Sequence, residues 1–216
     1  MKDLKPIVYV VDDDDAVRNS IRLLLKSVGL PVVLFSSPEE FLAQYDDEQP
    51  GCLLLDVRMP QMNGLELQQR LNQRGAIIPV VFISGHADIP MAVEAMQHGA
   101  FDFLQKPFRD QDLLDRVQRA FERDATTRRQ LSEVGRIKER LESLTARERE
   151  VLHLVAEGKL NKVIAAELNV SPRTVEIHRA RVMEKMEASS LAQLVRMVLE
   201  IERQPQNSGG APEHNS

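Results

Sequence analysis

Along roughly the first 120 residues, short apolar runs alternate with longer amphipathic stretches. The runs fall at residues 7–11, 32–35, 52–56, 79–84 and 101–105, and the first, third and fourth are apolar almost throughout. That is the pattern of parallel strands buried on both faces. Between the runs, residues 15–27, 38–45, 64–72, 90–98 and 110–123 carry helical spacing. Ser37 before Pro38 and Asp88 shortly before Pro90 read as helix starts, and Gly29, Gly75 and Gly99 sit where helices should end. Five strands alternating with five helices predict an α/β domain, a doubly wound five-stranded parallel sheet, over residues 5–123.

The pattern then changes. Residues 124–143 are heavily charged, but Leu131, Val134, Ile137, Leu141 and Leu144 recur at intervals of three and four. This predicts a helical linker with one apolar stripe, able to dock on its own chain or on a second one. Gly135 interrupts it at a cost of roughly 1 kcal/mol. From 144 to 203 the chain reads as an all-α domain of short helices split at Gly158, at residues 169–172 and at residues 188–189. Residues 204–216, rich in Gln, Asn, Pro, Gly and Ser, lack apolar periodicity and predict a disordered tail.

Charge follows this division. The chain of 216 residues has a formal net charge of −5; residues 1–123 hold about −6, residues 124–203 about +2 and the tail about −1. An acidic part beside a mildly basic part fits two domains with different partners. No apolar run approaches the roughly 20 residues that span a bilayer, and the N-terminus shows no signal-peptide pattern. The single cysteine, Cys52, can form no internal disulfide. Together these predict a cytoplasmic protein with no membrane partner.

Ligands of open parallel sheets bind beyond the carboxyl ends of the strands. The first predicted strand ends in Asp12-Asp13, the third in Asp56, the fourth in Ser84, and Lys106 follows the fifth. Three carboxylates, a hydroxyl and an ammonium thus share one edge. Carboxylates so placed repel one another, and a hard divalent cation, Mg²⁺, is the cofactor expected to relieve them. With that charge in place one carboxylate can attack a phosphoryl group. Asp56, alone at its strand end, is the expected nucleophile. Asp13 is expected to ligate the metal directly and Asp12 mainly through water. Asp14 and Asp15 belong to the helix start. Lys106 and Ser84 are expected on phosphoryl oxygens.

The motifs carrying these residues resemble those of two-component receivers: Val11-Asp12-Asp13, residues 55–64 from Leu55-Asp56 through Asn63-Gly64, Ser84-Gly85-His86 and Lys106-Pro107-Phe108. The resemblance covers residues 5–123. It implies Asp56 as phosphoacceptor, with Mg²⁺ held by Asp13, Asp56 and the Arg58 backbone carbonyl. It also implies a cis Lys106-Pro107 bond and a switch in which Ser84 moves toward the phosphate and Phe103 rotates into the space it leaves. Arg58 and His86 would flank the pocket.

In the C-terminal part, Thr145 with Glu148 forms a capping-box pattern. Residues 161–168 carry an apolar face, and after Asn169-Val170-Ser171 a longer helix begins at Pro172. A short helix, a tight turn and a helix bearing Arg173, His178, Arg179, Arg181 and Lys185 suit a DNA reader. Residues 144–197 resemble the LuxR-type output domain, notably at Leu144-Thr145-Ala146-Arg147-Glu148, Asn161-Lys162 and residues 173–179. The combination is similar to the NarL/FixJ family, FixJ-like subgroup. The resemblance puts Glu176, Ile177 and Ala180 toward bases, and Lys162, Arg173, Thr174, His178, Arg179 and Arg181 on phosphates. It implies a response regulator phosphorylated by a sensor histidine kinase, dimerising through its last helix and binding double-stranded promoter DNA to control transcription, with RNA polymerase as a further partner. The competing reading is a Mg²⁺-dependent aspartate-nucleophile phosphohydrolase, because Asp12-x-Asp14 also fits a DxD motif; that reading leaves Asp56, Ser84 and the helical part unexplained.

Overall fold

The computed structural model describes residues 4–85 and 89–202. The Asp88 helix start, His86 and the 204–216 tail lie outside the described residues. Two compact units divide the chain, 1–129 and 130–216.

In the first unit, β1 (Ile7–Val11), β2 (Val32–Phe35), β3 (Gly51–Asp56), β4 (Val80–Ser84) and β5 (Asp102–Gln105) form one parallel sheet in the order β2-β1-β3-β4-β5. Successive side chains of a strand point to opposite faces, so each strand serves two cores. Val8, Val10, Cys52, Leu54, Val81 and Ile83 pack toward α1 (Asp15–Ser27) and the first turns of α5 (Asp110–Glu142), meeting Ile21, Leu25, Leu113 and Val117. Tyr9, Val11, Leu53, Leu55 and Phe82 pack on the other face against Phe41 of α2 (Pro38–Gln44), Leu67 and Leu71 of α3 (Gly64–Gln73) and Ala95 of α4 (Ile89–Gln97). Burial on both sides explains why β1, β3 and β4 are apolar runs and not alternations.

The helix ends obey local chemistry. The Ser37 hydroxyl accepts from the Glu40 amide at the start of α2, and Asp14 accepts from the Ala16 and Val17 amides at the start of α1. Asn63 and Glu66 close a capping box at α3.

Helix α5 does not stop near Arg123 but continues to Glu142, so the charged stretch after 123 is helical. Residues 124–129 lie with the first unit. In the second unit, Ile137, Leu141 and Leu144 pack with α6 (Ala146–Ala156), α7 (Asn161–Glu167), α8 (Pro172–Lys185) and α9 (Leu191–Glu202) around Val151, Ile164, Val175, Val182 and Leu194. Much of the linker's apolar stripe therefore docks on its own chain, while Leu131 stays exposed. The Thr145–Glu148 capping box opens α6, and Ser171 caps α8 with Pro172 in its first turn.

Candidate functional site

The strand order reverses between β1 and β3, the place where a doubly wound sheet opens a crevice at its carboxyl edge. Asp12 follows β1 there and Asp56 ends β3; both are buried, 3% and 9% exposed. Lys106, just past β5, reaches across: its Nζ donates to Asp12 Oδ2 at 2.7 Å and to Asp56 Oδ1 at 2.8 Å. The remaining oxygens are also engaged. Asp12 Oδ1 accepts the Asp14 amide at 2.9 Å, and Asp56 Oδ2 accepts the Arg58 amide at 2.7 Å. Ser84, at the end of β4, is buried at the same edge.

One ammonium between two carboxylates leaves the pocket negative. Desolvation by burial pushes the Asp56 carboxyl above its ordinary range, against the opposing pull of Lys106, and Asp12 adds repulsion. The Lys106 ammonium is held above its ordinary range by its bonds to Asp12 and Asp56, which outweigh its own desolvation. Gly64 is glycine for a spatial reason: a Cβ there would lie 2.3 Å from the Asp56 carbonyl oxygen, so only glycine lets α3 start against β3.

The four consecutive aspartates separate by role. Asp12 points inward, Asp13 is exposed, Asp14 caps α1, and Asp15 pairs with Arg18. The buried Arg18 also donates to the Asp12 carbonyl, which the sequence pattern does not reveal because Arg18 sits on a predicted helix like any surface cation. Lys106, expected on a phosphoryl oxygen, is bonded to the two carboxylates: Asp12, expected to reach the metal mainly through water, and Asp56. Phe103 on β5 is half-buried, its ring 6.4 Å from that of Phe82. Arg58 is exposed, and the Lys106-Pro107 peptide bond is cis. Among the described residues, no group of three or more His, Cys, Asp or Glu side chains is arranged to hold a metal ion.

In the second unit, α7 and α8 are joined by a tight turn in which Asn169 adopts φ 53°. Val175 is fully buried, as a core position of α8. Lys162, Arg173, Glu176, Ile177, Ala180 and Arg181 are exposed. Arg173 pairs with Glu176 at 3.0 Å on that surface. Thr174 spends its hydroxyl on Ser171, 2.8 Å away, and His178 and Arg179 are half-buried. The Nδ1 atom of His178 has no hydrogen-bond partner among the described residues, and Arg179 Nη1 donates to Asn161 Oδ1 at 2.9 Å. At the end of α8, Lys185 reaches the buried Glu148 of α6 at 2.7 Å. That bond and the Thr145 amide pull the Glu148 carboxyl down to about 2.

A sheet with paired aspartates and a lysine at its switch point, followed by a capped helix-turn-helix, defines a receiver joined to a DNA-binding output module. The response regulator receiver domain matches residues 8–118, and the luxR family of bacterial regulatory proteins matches residues 142–198. Nodulation protein W of Bradyrhizobium diazoefficiens is 50% identical over 193 residues, 89% of this chain and 85% of its own. TodT of Pseudomonas putida is 46% identical over 197 residues, 91% and 87% respectively. The structure of the response regulator StyR superposes with a TM-score of 0.82 at 45% identity, covering 91% of this chain and 99% of that one. Full-length FixJ from B. japonicum gives 0.57 at 40%, covering 94% and 100%. The chain belongs to the NarL/FixJ-type response regulators and is a transcriptional response regulator with a LuxR-type DNA-binding domain. Phosphorylation and dimerisation are typical of that family.

Proposed function

We propose that Asp56 is the phosphoacceptor, and that its phosphorylation by a sensor histidine kinase drives dimerisation and binding of promoter DNA. The observation that carries this reading is the pairing of Asp56 with Lys106 in a crevice at the sheet's switch point. In the transfer, an Asp56 carboxylate oxygen bonds to phosphorus while the P–N bond to the kinase histidine breaks, and the imidazole leaves with the electron pair. Lys106 would exchange a carboxylate oxygen for a phosphoryl oxygen, and Ser84 would hold another; Phe103 would follow Ser84 as the reporting aromatic.

The pocket's chemistry suits Mg²⁺: Asp12 and Asp56 offer carboxylate oxygens, and one lysine ammonium stands between the two of them. Asp13, Asp56 and the Arg58 carbonyl would hold the ion, with Asp12 contributing through water. When bound, it would neutralise charge on the transferred oxygens.

For the output unit, Lys162, Arg173 and Arg181 are exposed cations suited to phosphates, with Thr174 and His178 beside them. Glu176, Ile177 and Ala180 share an exposed helical face suited to base edges. Dimerisation through α9, contact with RNA polymerase, transcriptional activation and a cytoplasmic location complete the reading; no helix among the described residues is long and apolar enough to cross a membrane. The phosphohydrolase reading is disfavoured because Asp14, the second carboxylate of its DxD pattern, is spent on the α1 amides.

Acetyl phosphate with Mg²⁺ tests the assignment. Intact mass should rise by one phosphoryl group, peptide mapping should place it on Asp56, and Asp56→Asn should abolish it. Label retained by Asp56→Asn contradicts the assignment. Turnover of phosphate esters that is lost in Asp12→Asn but kept in Asp56→Asn would favour the hydrolase.

A further inference from the structure

We propose that Arg179 is a positioning residue that locks α7 to α8, and not one of the cations that hold DNA phosphates. The inference rests on reading the second unit as a DNA binder.

Helix α7 has only 7 residues, too few to be stable by itself, and its N-cap, Leu160, offers no side-chain acceptor. Leu160 is 74% and Val163 44% exposed, so in the first turn packing rests on Ile164. A polar tie adds to the packing of Ile164 in that turn: Asn161 Oδ1 accepts from Arg179 Nη1 of α8 at 2.9 Å. At the other end of α7, Arg147 of α6 donates to the Leu168 carbonyl. An arginine from each flanking helix thus brackets α7.

Arg179 differs from its basic neighbours in burial. Lys162, Arg173 and Arg181 stand in solvent, whereas Arg179 is half-buried. It lines a small cavity with Val151, Val155, Val182, Met183 and Leu194. One end of the side chain therefore belongs to the core, and the guanidinium is committed to α7. A charge-assisted bond from a rigid guanidinium to an amide oxygen sets the angle between the two helices. That angle decides whether Glu176, Ile177 and Ala180 meet the groove together.

Salt dependence separates positioning from phosphate contact, because each lost phosphate contact lowers the slope of log affinity against log salt by about one. The full chain would be measured on a duplex that the wild type selects from a random pool, at several salt concentrations, with Arg179→Met, Asn161→Ala, their combination, and Lys162→Ala and Arg181→Ala as phosphate controls. Arg179→Met keeps most of the apolar stem and removes the head. We expect Arg179→Met and Asn161→Ala each to weaken binding about tenfold with the slope unchanged. The double variant should be no weaker than either single one, and the two controls should lower the slope. A slope lowered by about one in Arg179→Met, or additive losses in the double variant, overturns the proposal. Should Arg179→Met fail to fold, Asn161→Ala decides alone: wild-type affinity in that variant overturns the proposal, and weakened binding at unchanged slope supports it. A wild type that selects no duplex sinks the DNA-binding reading as well, an outcome distinct from either.

Discussion

Asp56 is held at a cost to the fold. Its carboxyl is buried beside Asp12, and its folded pKa stands above the ordinary 3.8. A group with a raised folded pKa stabilises the fold below its unfolded pKa, and that stability is lost as pH rises through the folded value. Removing the charge should therefore stabilise the first unit near neutrality. We expect Asp56→Asn to melt higher than wild type at pH 7, with the gap closing as pH falls through the raised folded value toward about 3.8; calorimetry across that range checks it, and an Asn variant that melts lower at pH 7 contradicts it. Glu148 has the opposite sign. Lys185 and the Thr145 amide depress its pKa to about 2 from an ordinary 4.5, so its contribution is present above 4.5 and lost as pH falls toward 2. Glu148→Gln should lower the melting temperature of the second unit at pH 7 and match wild type near pH 2, which thermal melts followed by circular dichroism would show.

Among the elements, α5 departs most from its sequence pattern. Residues 124–143 read as a helical linker separate from the helix over 110–123, with Gly135 interrupting its stripe, and the structure joins the two into one helix. The helix persists through Glu142 because tertiary partners outweigh that local cost. Asp124 is the clearest case. It is 2% exposed, accepts the Gly51 amide at 3.0 Å, and pairs with Arg128, which also donates to the Asp47 and Gln49 carbonyls. Its amide partner lies 73 residues away, so no local pattern could reveal it. Asp124→Ala leaves the half-buried Arg128 guanidinium without its carboxylate and the buried Gly51 amide without its acceptor, and should cost about 3 kcal/mol. Arg119→Ala, which removes an exposed pair with Asp102, should cost under about 1 kcal/mol. Urea unfolding of the two variants compares them directly, and equal losses would contradict the account. The strands were legible because burial on both faces makes apolar runs, and the pocket because a parallel sheet delivers its strand ends to one edge. Which aspartate faces inward was not legible. In a run of four, that depends on where Lys106 reaches, and Lys106 lies 94 residues from Asp12.

At the scale of the whole molecule, two compact units carry two chemistries. The first gathers carboxylates and a lysine at a sheet edge; the second presents exposed cations and a capped helix-turn-helix. Each could be read by itself from its motifs. Their linkage is the proposed function: phosphorylation of the first unit changes what the second does on DNA. A duplex that the wild type selects, titrated with the full chain before and after acetyl phosphate and Mg²⁺, tests this most directly when Asp56→Asn is run in parallel. The account predicts that treatment tightens wild-type binding about tenfold or more, a coupling of about 1.4 kcal/mol, and leaves Asp56→Asn unchanged. Equal affinity of the wild type before and after labelling, or the same gain in Asp56→Asn, would contradict it.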